Sequence, residues 1–251
     1  MLNFLPVFFF FISFVFSMLG MGGSQLYIPV MFWLGMDFKA EAIPLGLLLN
    51  VISSSSSAFT YYKKKLIDWK TSVPFAIAMV IFAPIGAFTN KNIPVKPIIL
   101  VFAIFTAVSG LLMLFGWQPK SVMSGNKNKK IILMLFIGAL IGFLTGFIGR
   151  GGGSFIVPVL YILGLDPKIA AASSSAIISF SALSGLISHL LLDFSVKPVL
   201  WGASIISVLI GSQLGSRYMA KNLNHKSIKL IFGIILLIIA GIMIVKDVIL
   251  K

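Results

Sequence analysis

GMGGSQLYIPVMFWLGMDFK, residues 20–39, and GRGGGSFIVPVLYILGLDPK, residues 149–168, are one passage written twice. The offset is 129 residues without a gap, and nine of the twenty positions are identical, including Gly20/Gly149, Gly22/Gly151, Gly23/Gly152, Pro29/Pro158, Gly35/Gly164 and Asp37/Asp166. In a chain of 251 residues that offset is about half the length. A very hydrophobic chain whose two halves are each interrupted by a glycine cluster at a corresponding position carries the sequence pattern of a secondary transporter.

Composition agrees with a lipid setting. Hydrophobic residues make up 59% and charged residues 10%, against roughly 25% charge in a soluble domain. Such a chain cannot cover its own surface with polar groups in water. The net charge of +14 comes from 20 basic and 6 acidic residues. The basic residues fall in short connections between apolar runs, as in cytoplasmic loops, which argues against nucleic acid as a partner. With no cysteine, disulfides, thiolate metal sites and cysteine nucleophiles are excluded. The first segment, MLNFLPVFFFFISFVFSML, has no basic start and no small-residue cleavage pattern. It also aligns with 131–148 and reads as the first membrane helix.

A spanning helix needs about 20 mostly apolar residues. The candidates are 3–19, 41–62, 73–90, 96–116, 131–148, 170–192, 198–216 and 228–246, four in each half. The expected architecture is an all-α polytopic membrane protein. It has an N-terminal repeat at 1–116, a polar linker at 117–130 and a C-terminal repeat at 131–251. The apolar segments 24–36 and 153–165 are too short to cross alone and read as one broken or re-entrant helix per half; an interfacial loop with a short surface helix is the alternative. If these pieces do not cross, Lys and Arg divide 11 to 9 between the two sides. If they do, the halves become inverted and the division is 13 to 7. The positive-inside rule favours the inverted form with the N-terminus outside.

The glycine clusters are the first candidate site: Gly20, Gly22, Gly23 and Ser24, then Gly149, Gly151, Gly152, Gly153 and Ser154. A broken helix exposes backbone N–H groups, and the start of the next helix carries partial positive charge. Such an end binds a small anion without a basic side chain; close helix packing is the competing explanation for the glycines. Arg150 sits inside the second cluster, and its planar fork suits an oxyanion, although a helix anchor at the water interface would also use it. Asn50 and Ser179 occupy equivalent positions inside spans and are candidate pathway residues, as are Ser173, Ser174 and Ser175. The remaining serines of the runs at 53–57 and 179–188 read as packing. Asp37, Asp166, Asp68 and Asp193 read as turn or cap residues, and Gly86/Asn90 and Gly211/Gly215 as helix contacts. No metal-ligand spacing, nucleotide loop or hydrolase motif is present, so neither cofactor nor metal is expected.

These motifs are similar to those of the TauE/SafE family of sulfite-exporter-like permeases. The resemblance rests on the two glycine-rich stretches, the Ala-Ser-Ser-Ser run at 172–175 and the Ile-Gly pairs at 85–86 and 210–211, and it covers essentially the whole chain. It implies duplicated halves in the cytoplasmic membrane, and transport of sulfite, sulfoacetate or other organosulfonates; the 18 lysines against 2 arginines point separately to a bacterial, AT-rich source. The first half departs from the pattern, with Pro44-Leu45-Gly46 where the second has Ser173–Ser175. The expectation is a carrier for a small anion working by alternating access, one repeat rocking against the other, driven by the anion's own gradient or a coupled proton or sodium ion. A channel-like anion pore is the alternative, and an integral membrane enzyme or assembly factor is a poorer one, since no catalytic residue set is visible.

Overall fold

The computed structural model describes residues 4–37, 41–89, 103–104, 107–108, 110–112, 114–115, 127–148, 153–190 and 198–245. Its regular elements are all helices: α1 (Leu5–Met18), α2 (Ser24–Trp33), α3 (Ile43–Lys63), α4 (Trp69–Thr89), α5 (Lys127–Ile148), α6 (Gly153–Ile162), α7 (Pro167–Leu190), α8 (Pro198–Asn222) and α9 (His225–Met243). Five of them, α3, α4, α5, α7 and α9, are long and apolar enough to cross a membrane. The expected span at 96–116 is helical at the few positions described. Of the linker, 117–126 lies outside the described residues, as do Asn90 and Asp193.

The two short apolar segments fold alike. α2 and α6 are ten residues each, 129 residues apart, and each begins directly behind its glycine cluster. Each ends the same way. Gly35 (φ 88°) and Gly164 (φ 102°) sit in the left-handed region. The following amides reach back, Met36 N–H to the Met31 carbonyl at 3.1 Å and Leu165 N–H to the Leu160 carbonyl at 3.0 Å. This glycine-dependent closure satisfies the last helical carbonyls and stops each helix short of a full crossing.

Several helices begin before the apolar run that announces them: α4 at 69 and not 73, α5 at 127 and not 131, α7 at 167 and not 170, α9 at 225 and not 228. Caps set the starts of α4, α7 and α9, because hydrogen bonding does not stop where hydropathy does. Asp68 accepts from the Lys70 amide (3.2 Å) and the Thr71 hydroxyl (2.7 Å), Asp166 from the Lys168 amide (3.0 Å), and Asn224 from the Ser227 amide (2.8 Å). Asp166 also meets the His225 ring, and the Lys168 ammonium donates to the Ala220 and Leu223 carbonyls at the end of α8. This junction ties α7 to the α8–α9 turn across more than fifty residues of sequence, a contact that spacing does not reveal.

The serine-rich helices α3 and α7 lie centrally; 61% and 72% of their spans are buried, against 33% for α9. They pack on each other, α3 also on α8 and α7 also on α4, while α1 lies against α8 and α4 against α5. The last two crossings are built on glycine. A Cβ on Gly86 would overlap the Phe143 carbonyl, and one on Gly215 would overlap the Phe14 carbonyl. These contacts are counterparts under the 129-residue offset. Gly138, Gly142 and Gly146 lie against Phe75, Met79 and Ala83 in turn, so α4 and α5 run in the same direction; Gly211 and Gly215 against Phe10 and Phe14 give the same for α1 and α8. By contrast Leu47 neighbours Gly185, while Ser173 at the other end of α7 accepts from the Asp68 amide beyond the end of α3. Thus α3 and α7, aligned by the offset, run antiparallel.

Replacing Gly86 or Gly215 with valine forces side-chain atoms into a neighbouring backbone and is expected to cost about 2 kcal/mol or more. Gly202, with nothing within 4 Å of a built Cβ, is the control. Thermal denaturation of purified protein in detergent should show a lowered midpoint for G86V and G215V and little change for G202V.

Candidate functional site

The break after α1 is a hairpin tip. α1 ends with Gly20 (φ 68°) and Gly22 (φ 75°) in the left-handed region, its carbonyls closed by Gly20 N–H to Ser17 (3.3 Å) and Met21 N–H to Phe16 (3.0 Å). α2 then returns along α1, since Phe4, Leu5 and Phe8 share one apolar cavity with Val30, Trp33 and Leu34 at the far end. Tyr27 on α2 packs edge-on against Phe9 on α1, with ring centroids 5.1 Å apart.

Other helices supply the partners for the tip's backbone. The Ser174 hydroxyl of α7 donates to the Gly20 carbonyl at 2.8 Å, and the Tyr61 hydroxyl of α3 donates to the Ser17 carbonyl at 2.6 Å. The Gly23 amide donates to Asn50 Oδ1 at 2.9 Å. Gly20 is pressed against Ala171 so closely that a Cβ would overlap its carbonyl. Gly153, the last glycine of the second cluster, comes to the same place: a Cβ on it would overlap the Met21 carbonyl. Leu19 and Met21 beside the first break share a buried apolar cluster with Phe155, Ile156 and Val157 behind the second. The start of α6, behind the second cluster, therefore packs against the first break.

The surroundings of the tip are polar and sealed. Ser13, Ser17 and Ser53 are at most 1% exposed, with Ser17 and Ser53 hydroxyls 3.0 Å apart, Ser13 and Ser53 3.4 Å apart, and Ser13 donating to the Val208 carbonyl at 2.7 Å. The Tyr27 ring lies against Gly23 and the Asn50 amide against Gly22. Tyr27 and Asn50 are fully buried and Gln25 is 4% exposed. Yet Asn50 Nδ2 and both ends of the Gln25 amide have no hydrogen-bond partner, and the Tyr27 hydroxyl lies beside the Ser13 and Ser53 hydroxyls without a bond of full geometry to either. Pro29 inside α2 has no N–H to give the Gln25 carbonyl four residues back. Buried polar groups are almost always paired, and each unpaired one costs about 1–3 kcal/mol. Here several lie around one break.

The sequence-derived candidates divide accordingly. Gly20, Gly22, Gly23, Ser24, Asn50, Gly153 and Ser174 gather at the tip. Ser173 serves the α3–α4 turn, and Ser175 donates to the Ala171 carbonyl of its own helix at 3.2 Å. Ser179 does not mirror Asn50. Its hydroxyl donates to the Ser175 carbonyl at 2.8 Å, and it lines an apolar groove between α3 and α7 with Val51, Phe59, Tyr62 and Phe180. The lone hydroxyl is short enough to bond back within its helix, whereas the Asn50 amide reaches the break. Gly149, Arg150, Gly151 and Gly152 lie outside the described residues, as does the Ser154 side chain. Ser13, Ser17, Gln25 and Tyr27 escape the sequence reading. The available signals were the four-residue spacing of Ser13 and Ser17 on a phenylalanine-rich helix and an amide at position 25 of an apolar run.

Comparison with known proteins places this arrangement. The family model for sulfite exporter TauE/SafE matches residues 5–243. The probable membrane transporter protein YunE of Bacillus subtilis is 28% identical over 250 residues, covering 89% of this chain and 90% of its own length. The probable membrane transporter protein MJ0441 of Methanocaldococcus jannaschii is 28% identical over 183 residues, 69% of this chain and 67% of its own. Sulfite exporter TauE/SafE family protein 1 of Arabidopsis thaliana is 30% identical over 109 residues, 40% of this chain and 24% of its own. With its membrane-length apolar helices and a match across nearly its whole length, the chain is a multi-pass membrane protein that belongs to the TauE/SafE sulfite exporter family.

Proposed function

We propose that the chain is a secondary carrier for a small anion of the sulfite or organosulfonate class, working in the cytoplasmic membrane of a bacterium. The observation that carries this reading is the meeting of the first helix break with the start of α6 beside buried, poorly paired polar groups. The first turn of α2 points its amides at the break, and the helix end favours negative charge. In lipid, the groups left unpaired there are costly until a solute takes their bonds. The family and the name of the Arabidopsis relative support sulfite as the first substrate to test. Transport, and not catalysis, is the activity its relatives' names describe.

The antiparallel run of α3 and α7 supports halves of inverted topology, the arrangement that also gathers 13 basic residues on one side against 7. With that side cytoplasmic, the first hairpin enters from outside and the second from inside. The expectation that one repeat rocks against the other changes in detail. The tight pairs are α1 with α8 and α4 with α5, each taking one helix from each half. The moving bodies are these mixed pairs, which turn about the central α3 and α7 and part the hairpin tips toward one side at a time. A proton or sodium gradient, or the anion's own gradient, supplies the driving force. Apart from the lysines in the first turn of α5, Arg150 in the second cluster supplies the single positive charge of the two hairpins.

Reconstituted protein should show saturable uptake of radiolabelled sulfite and counterflow from unlabelled sulfite inside the vesicle; uptake that never saturates and lacks counterflow would indicate a pore. G153V should reduce that flux by roughly tenfold or more while the protein elutes as wild type does, and G202V should keep it. Cysteines introduced beside Lys64 and Lys226 should react with a membrane-impermeant thiol reagent from the same side. Labelling from opposite sides would overturn the inverted topology.

A further inference from the structure

Apart from the lysines in the first turn of α5, the segments 5–37 and 127–165 contain one basic residue, Arg150, and no histidine. Lys168, at the start of α7, is committed to the Ala220 and Leu223 carbonyls. At the first tip the poorly paired groups are neutral: the Tyr27 hydroxyl and Asn50 Nδ2 are both donors, and they flank the Gly22–Gly23 peptide. Asn50 cannot turn its oxygen toward a ligand, because Oδ1 is held by the Gly23 amide. The desolvation penalty of an ion rises steeply with its charge, and neutral donors offset it only in part. A site with neutral donors and at most one cation balances one negative charge and leaves the second charge of a dianion uncompensated in a buried setting.

We propose that Tyr27 and Asn50 form a donor pair that selects a singly charged oxyanion over a doubly charged one. This rests on the anion-carrier reading above and adds the charge class of the ligand and the residues that read it. Tyr27 and Asn50 lie flush against the glycines, so the ligand enters as the tips part, and the two donors close on its oxygens. The Tyr27 hydroxyl lies beside the Ser13 and Ser53 hydroxyls without a bond of full hydrogen-bond geometry to either, so Tyr27→Phe removes a poorly paired buried group and keeps the ring against Phe9. A purely structural tyrosine would lose stability on that change; this one should not. Asn50→Asp keeps the acceptor for the Gly23 amide and replaces the donor with an oxygen that repels an anion.

The test uses three tetrahedral sulfur compounds of similar size and rising charge: dimethyl sulfone, methanesulfonate and sulfate. Each is added to purified full-length protein at fixed pH and ionic strength, and the melting midpoint is followed. Methanesulfonate should raise the midpoint, with an apparent affinity roughly tenfold or more above that of the other two. Y27F should weaken the response to methanesulfonate several-fold with an unlowered ligand-free midpoint, and N50D should abolish it. A response to sulfate equal to or larger than that to methanesulfonate overturns the proposal. So does a Y27F protein with a lowered ligand-free midpoint and an undiminished response. Absence of any response while saturable sulfite counterflow persists overturns the donor pair and leaves the carrier reading standing; absence of both removes the carrier reading as well.

Discussion

Inside a bilayer there is no water to take up an exposed peptide group, and every feature of this structure answers to that constraint. A helix that stops at membrane depth leaves amides and carbonyls that must find partners elsewhere in the protein. At Gly20–Gly23 they find them on two other helices: Ser174 takes the Gly20 carbonyl and Asn50 takes the Gly23 amide. The break exists because α3 and α7 pass it at the right height. Glycine is required for the same reason, since only a residue without Cβ lets Ala171 and Met21 come so close to the opposing chain segments. What the protein pairs poorly or not at all, at Tyr27, Asn50 and Gln25, it holds against the same break.

Hydroxyl groups play two parts that composition alone cannot separate. Ser54 and Ser57 donate to carbonyls four residues back, at 2.6 and 2.7 Å, and are spent within their own helix. Ser56 instead joins α3 to α8 through Ser212 at 2.9 Å and Gln213 at 2.7 Å. Ser53 faces α1, where it meets Ser17. One serine run thus serves its own helix, two neighbouring helices and the polar surroundings of the break. Helical phase decides which hydroxyl does which.

The sequence repeat made much of this legible. Two short helices behind glycine clusters, the acidic caps at Asp68 and Asp166, and the glycine contacts at Gly86, Gly211 and Gly215 were all readable from spacing, because each depends on local geometry. The helix starts fell too late even so, because the apolar window that reveals a span leaves out the polar first turn that Asp68 or Asp166 already anchors. The partners of the break were only half legible. Asn50 stood out as an amide in a span, but Tyr27 looks like any aromatic in an apolar run, and its burial beside Gly23 is a tertiary fact. The equivalence of Asn50 and Ser179 failed for a related reason. Identical register in two repeats fixes where a backbone lies, whereas a carboxamide reaches one bond further than a hydroxyl and carries a donor and an acceptor on separate atoms.

The exchange of partners across the repeat has a consequence for how the protein is made. α1 and α4 leave the ribosome before α5 and α8 exist, and those are the helices against which they nest most closely. During synthesis the first half must therefore wait in lipid with the Ser13 hydroxyl and the Gly20 carbonyl still lacking contacts that α8 and α7 will supply. The newborn N-terminal half is a client for membrane insertases and quality-control proteases, and it stays one until the last third of the chain has been delivered.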